Sequence, residues 1–255
     1  MTRKCFLIDP MERGADEVAL TAEVAHHIRN VLRMKPGDGI ELRDGQGNGW
    51  SAVIREMKGK EVRVAVGERQ VLLNESPLQS TLALALSRSE RMELVLRQAT
   101  EMGVFRFAAF RAARSDYILS AAHRDKRKER WTKIAGEALC QCGRMRMPEI
   151  AVCEDTSDLI STSSGWEKGQ GANLKVLARE DHEGRGLTSL HRVHPTCSQM
   201  LLVVGPEGGW CRDEAEEFAH AGFHVVHLGP RTLRLETAAI GLLAAAQLLW
   251  GDLGA

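Results

Sequence analysis

The sequence predicts an α/β protein in which a small, mostly antiparallel β-barrel precedes a larger domain built on a parallel sheet. Three observations carry the prediction. First, residues 1 to about 70 contain short alternating runs (Gly39–Arg43, Trp50–Arg55, Glu61–Val66). They are cut by Pro36-Gly37-Asp38-Gly39, by the glycines at 45, 47 and 49 and by Lys58-Gly59-Lys60, the punctuation of tight turns between antiparallel strands. Second, from Leu82 onward apolar runs of strand length alternate with helical periodicity, as in a parallel sheet covered on both faces. Third, two late apolar runs, Leu201–Val204 and Phe223–Leu228, end abruptly in Gly205-Pro206-Glu207-Gly208-Gly209 and Gly229-Pro230. Ligands bind outside the carboxyl ends of such strands.

Taken in order, the small domain should span residues 1–72 and include one helix. Thr21 can cap it, and Val24, Ile28, Val31 and Leu32 share one face. Leu73–Ser80, with Asn74, Ser76 and Pro77, reads as a linker, and the second domain should run over 80–255. There, Leu82–Leu86 is a continuous apolar strand. Ser89–Met102 is a helix, with Met92, Val95, Leu96 and Ala99 on one side and Gly103 as its stop. Phe105–Phe110 is the next strand and Lys126–Cys142 a long helix. Glu149–Cys153 and Leu174–Ala178 are further strands, whereas the Ser- and Gly-rich Ser157–Ala172 reads as a loop. A last helix runs over Thr237–Trp250. Its small residues and apolar character on most sides suit the core together with a subunit interface.

The chain has 255 residues, 44% of them hydrophobic and 27% charged, with a formal net charge of zero. That is ordinary for a globular protein, but overall neutrality can hide a local basic face. Arginine and lysine crowd Arg88–Arg97, Arg106–Arg114 and Arg124–Arg146. The N-terminus has no apolar signal core and no apolar run reaches the ~20 residues of a membrane span, so a cytoplasmic protein is expected. The six cysteines suit free, buried or half-buried thiols. Cys140 and Cys142 lack the spacing of a zinc knuckle, and no metal site is expected. His26 and His27 are adjacent on a helix and point apart. His182, His191 and His194 read as polar loop residues without ligand spacing.

The loop Gly205–Gly209 is not a phosphate-binding P-loop, because no Gly-Lys-Ser/Thr follows, and it is not a dinucleotide fingerprint. What remains is bare backbone against which a ligand can lie closely. Glu207 is its only ionisable side chain. After Gly229-Pro230, Arg234 can neutralise an anionic substrate or a charge that develops during reaction. Glu236 and Thr237 at the start of the last helix also complement its free N–H groups and dipole.

Together VVGPEGGW (203–210) and LGPRTLRLETAAIGL (228–242) resemble the RsmE-type 16S ribosomal RNA uracil-N3 methyltransferases of the SPOUT class. The resemblance covers nearly the whole chain. HHIRNVLRMKPGDGIELRDGQGNGW (26–50) is similar to that family's PUA-like RNA-binding module. SERMELVLRQATEMGV, AARS and KIAGEALCQCGRMRMPEI follow in the family's order. The chain departs at Cys142, where relatives commonly have serine, and at Gln98, where many have lysine; neither position lies in the cofactor loops.

The resemblance implies a C-terminal trefoil knot, a departure from the usual absence of knots. It implies S-adenosyl-L-methionine held mainly by backbone groups, and a homodimer whose partner subunit completes the site. Carried over by position, the cofactor-binding residues are Leu177, Gly205, Pro206, Glu207, Gly208, Gly209, Leu228, Gly229, Leu233, Leu235 and Thr237. The implied reaction is methylation of N3 of a uridine in 16S ribosomal RNA. Arg234 is expected to stabilise the uracil anion, with Glu207 or Glu236 accepting the N3 proton. Because N3 lies on the pairing edge, the base must be unpaired or flipped out. Expected RNA contacts are Arg29, Arg33, Arg88, Arg114 and Arg144. Two other readings stay open. One is an RNA-binding assembly factor that retains the fold without the reaction. The other is a SPOUT methyltransferase acting on another RNA position.

Overall fold

A computed structural model of the chain describes residues 4–10, 16–70, 74–166, 173–180 and 184–254. The chain divides into two compact units, Met1–Glu75 with Gly136–Met147, and Ser76–Ala135 with Pro148–Ala255.

The first unit holds β1 (Lys4–Leu7), β2 (Glu17–Ala19), α1 (Ala22–His26), β3 (Gly39–Arg43), β4 (Gly49–Lys58) and β5 (Glu61–Gln70). They form one five-stranded sheet in the order β1-β3-β4-β5-β2. The expected runs are all strands, and β4 and β5 continue past their alternating portions. The edge strands β1 and β2 carry no such alternation and were not anticipated. β1 pairs with β3 in parallel, the exception in an otherwise antiparallel sheet. Ile40, Leu42, Ile54, Val62 and Val64 point to one face and enclose Ile28. Thr21 caps α1 through its hydroxyl, and a π-helical turn over His27–Val31 follows. His26 meets Asn30, and His27 packs edge-on to Phe6.

The sequence reading places Gly136–Met147 in the second domain, but these residues join the first unit by buried polar contacts. Arg43, 3% exposed, donates to the carbonyls of Leu139 and Arg144 at 3.1 and 3.0 Å. Glu75 accepts from the backbone N–H groups of Met145 and Arg146. Cys5, Cys140 and Cys142 in this unit are reduced, half-buried thiols.

The second unit contains β6 (Gln79–Ala85), α2 (Ser89–Glu101), β7 (Arg106–Phe110), most of α3 (Ala121–Cys142), β8 (Glu149–Val152) and α4 (Thr156–Ser164). After these come β9 (Asn173–Ala178), α5 (Leu187–Val193), β10 (Gln199–Val204), α6 (Arg212–His220), β11 (His224–Val226) and α7 (Leu235–Trp250). The six strands form an all-parallel sheet in the order β11-β9-β10-β6-β7-β8. Its central strands are buried on both faces, as their continuous apolar runs require. Strand order reverses between β6 and β10. α7 packs on α2, α5, β6 and β10, with Leu235, Ala239, Leu242, Leu243, Ala246 and Trp250 turned inward. Buried Gln247 accepts a bond from Ser76 at 2.7 Å.

Three expectations are corrected here. The segment read as a loop from Ser157 forms α4 as far as Ser164, because Asp155 caps it at Asp158 N–H and Leu159 anchors it in the core. Residues 167–172 lie outside those described. His191 sits in the unanticipated α5, with its ring 5.0 Å from that of Trp250, whose indole donates to the His194 carbonyl at 2.7 Å; His182 lies outside the described residues. In the expected linker, β6 already begins at Gln79. Among the described residues, no helix is long and apolar enough to cross a membrane.

Candidate functional site

Three strands bring their carboxyl ends into one row. Val204 of β10 lies beside Ala178 of β9, which lies beside Val226 of β11. The loops that leave this row therefore emerge side by side. Together with the first turn of α7 they enclose a cavity of about 290 Å³. Its wall includes Gly205, Pro206, Glu207 and Gly209 from the first glycine loop. Leu228, Gly229, Leu233, Arg234 and Leu235 come from the second, and Ala178, Arg179, Glu180, Trp210, Arg231 and Thr232 complete most of the rest. The volume is near the lower end of small-molecule sites, ~300–1,000 Å³.

Glycine is required at two places in this wall for different reasons. A Cβ on Gly205 would stand 2.7 Å from the Trp210 indole. That indole is fixed, stacked parallel to Phe110, edge-on to Phe218 and donating to the Ala178 carbonyl at 2.9 Å. Gly209 adopts φ +70°, and a Cβ there would meet the Glu180 carboxylate at 2.8 Å. Gly229, at φ +91°, has no other heavy atom within 4 Å of the place where a Cβ would stand. Bare backbone thus lines the cavity from two loops, and the residues present fit a ligand held by main-chain groups.

The ionisable side chains divide into committed and uncommitted groups. Glu207 accepts from Ser87 Oγ at 2.8 Å and pairs with the Arg91 guanidinium. Burial pushes its carboxyl up, but its own N–H, Ser87 and Arg91 together outweigh that and hold the pKa below the usual carboxylate range. It is therefore a structural brace across the crevice between β6 and β10 and a poor proton acceptor. Arg234 is exposed at the N-cap position of α7 and lines the cavity with no partner among the described residues. Glu180 lies in the same wall over Gly209.

Four expected site residues are not in the cavity wall. Leu177 points into the core, where strand alternation sends it when Ala178 faces the site. Gly208 faces Arg114, whose guanidinium donates to its carbonyl at 3.0 Å. Thr237 is exposed outside the cavity. Glu236 has one fully buried oxygen without a hydrogen-bond partner and lies outside the wall. Trp210, Arg179 and Glu180 were missed by sequence reasoning. The tryptophan after the glycine loop was visible in the motif, but its packing role was not.

The expected RNA-contacting arginines differ in availability. Arg33 is exposed with φ +53° in the left-handed region, and Arg88 is exposed at the N-cap of α2. Arg29 bonds to the carbonyls of Gly59 and Glu61 and braces the β4–β5 turn. Arg114 clasps the first glycine loop. Arg144 is 4% exposed and holds Glu75 through Nε and Nη2 at 3.0 and 2.8 Å. Its guanidinium is consumed inside the first unit, which corrects its assignment to RNA contact.

The sequence profile of an RNA methyltransferase domain matches residues 74–247, and that of an RNA methyltransferase PUA domain matches 20–67. Ribosomal RNA small subunit methyltransferase E of Bacillus subtilis is 31% identical over 246 residues, covering 93% of this chain and 94% of the relative. The protein of the same name from Mycobacterium tuberculosis is 31% identical, covering 98% and 93%. Among solved structures, ribosomal RNA small subunit methyltransferase E from Neisseria gonorrhoeae bound to S-adenosyl methionine superposes with a TM-score of 0.85. It has 30% identity, with 99% and 100% of the chains covered. A methyltransferase from Legionella pneumophila in complex with the bound cofactor SAM gives 0.88 at 28% identity, with the same coverage.

Proposed function

The chain belongs to the RNA methyltransferase family that includes the ribosomal RNA small subunit methyltransferases E, and on that premise we propose that it methylates small-subunit ribosomal RNA at N3 of a uridine. The observation that carries this reading is the backbone-lined cavity at three registered strand ends, with the uncommitted Arg234 in its wall. S-adenosyl-L-methionine is the cofactor, and when bound it supplies an electrophilic methyl group on a sulfonium. Main-chain groups of Gly205, Gly209, Leu228, Gly229 and Leu233 would hold it.

The protein's own residues must orient uracil and manage its proton. Holding uracil N3 towards the methyl donor would supply up to roughly 7–11 kcal/mol by proximity. Neutral N3 carries a proton, and its loss leaves negative charge on O2 and O4. Arg234 stabilises that charge. Glu180 accepts the proton, because Glu207 is occupied by Ser87 and Arg91 and Glu236 lies outside the wall.

The reading extends to a homodimer in the cytoplasm. α7 presents Gly241, Ala245 and an exposed Leu248 along an apolar cavity of about 400 Å³. Leu228, Gly229 and Leu233 border both this cavity and the cofactor cavity, so a partner seated on α7 would complete the site. A trefoil knot belongs to the same proposal. Its support is the entry of β10 between β9 and β6 and the return of α7 from the edge strand β11 onto β6.

The test is methylation of small subunits, or of their RNA, from a strain lacking this protein, followed by mapping of the modified base. Methyl transfer to N3 of one uridine is expected. Cofactor binding by calorimetry without any transfer would favour another RNA position, and no cofactor binding would favour an assembly factor.

A further inference from the structure

A second cavity, of about 150 Å³, opens at the carboxyl ends of β6, β7 and β8, on the same edge of the sheet as the cofactor cavity. Its lining is more polar than apolar: Leu86, Leu119 and Val152 border it, Ile118 presents the exposed apolar surface at 68% exposure, and Arg111 and Arg124 bring charge. The carboxylates around it are already engaged. Asp155 accepts from Asp158 N–H at 2.9 Å, and Glu154 accepts from Arg124 at 2.9 Å. Burial pushes the Cys153 thiol up to about 12, so it stays neutral. Arg111 has no hydrogen bond or ion pair among the described residues. It is an exposed cation beside an exposed apolar side chain.

The chain joins this cavity to the cofactor cavity in two places. Leu86 lines the second cavity, and the next residue, Ser87, holds Glu207 of the first. The loop that begins at Arg111 docks on α6 through Ala113 N–H to Glu214 at 2.8 Å and on the first glycine loop through Arg114 to the Gly208 carbonyl. The size also selects the ligand. A cavity near 150 Å³ admits one aromatic ring, whereas sites for larger small molecules need ~300 Å³ or more.

We propose that this cavity is a subsite for a nucleotide flanking the methylated base, with its phosphate on Arg111 and its base ring against Ile118. The proposal rests on the reading of the protein as an RNA methyltransferase. One phosphate contact registers in RNA affinity and in its salt dependence, and covering the exposed Ile118 side chain removes apolar surface from water.

The experiment uses the full chain and a small-subunit RNA fragment that contains the mapped target. Arg111→Ala should raise KM for RNA about tenfold and lower the salt slope of binding by about one. The loss should fall on KM rather than kcat, with cofactor affinity and thermal midpoint unchanged. An abasic nucleotide is then placed in turn at each position beside the target. At one position it should cost wild type about as much as Ile118→Ala costs on intact RNA, and cost Ile118→Ala nothing further. Penalties that multiply at every position, or an unchanged KM and salt slope in Arg111→Ala, would overturn the subsite. Failure of wild type to methylate any small-subunit RNA would instead overturn the underlying reading.

Discussion

Arg234 and Glu207 look equivalent in the sequence, each a charged residue beside a glycine loop, but their surroundings separate their roles. Arg234 lines the cavity without a partner among the described residues, whereas Glu207 is locked to Ser87 and Arg91. A preorganised donor near developing negative charge is worth roughly 2.7–4 kcal/mol. Arg234→Ala should therefore slow single-turnover methyl transfer by about 10²–10³ while cofactor affinity stays within a few fold; a wild-type rate would remove Arg234 from the chemistry. The two carboxylates make a paired prediction. Glu180→Gln should slow transfer severely near neutrality and regain rate as the pH rises, because uracil then loses its N3 proton to solvent. Glu207→Gln should show no such rescue, since that carboxylate is held ionised by its partners. Matching pH–rate profiles for the two variants would refute the assignment of the proton to Glu180.

At the level of elements, the site depends on loops held by neighbours rather than on their own sequence. The first glycine loop is fixed from below by Trp210, from one side by Arg114 and across the β6–β10 crevice by Ser87 and Arg91. Gly205→Ala would drive a methyl into the Trp210 indole at 2.7 Å. Overpacking of this kind costs about 1–3 kcal/mol, and the displaced loop should also lose cofactor affinity. Thermal unfolding and calorimetry read the two effects, and a stable variant with unchanged affinity would show that the loop does not depend on this contact. The glycines were legible as a ligand loop because only bare backbone permits such close approach. Trp210 was quoted within the motif but its function was not legible, because its partners Phe110, Ala178 and Phe218 come from three other parts of the chain. The same limit explains α4, where serine-rich composition suggested a loop until the Asp155 cap and the core packing of Leu159 anchored it.

For the whole molecule, the proposed homodimer gives a direct test. Leu248 is 59% exposed on a helix whose opposite face is buried. Leu248→Glu should convert dimer to monomer in sedimentation velocity and weaken cofactor binding, because Leu228 and Gly229 border both cavities. A Leu248→Glu protein that stays dimeric would place the interface elsewhere. The sequence by itself determined the succession of a turn-rich β unit and a parallel α/β unit, since side-chain periodicity and glycine punctuation are local signals. It also located the two glycine loops and Arg234, because their residue types are unusual where they stand. Only the tertiary structure decided which charges are free. Arg144 is consumed by Glu75, Glu207 by Arg91 and Ser87, and Arg114 by Gly208, while the Arg234 and Arg111 side chains have no partner among the described residues. Each of those pairings joins residues 69 or more positions apart, and pairing over such distances is set by how the sheet orders its strands, which no local pattern encodes.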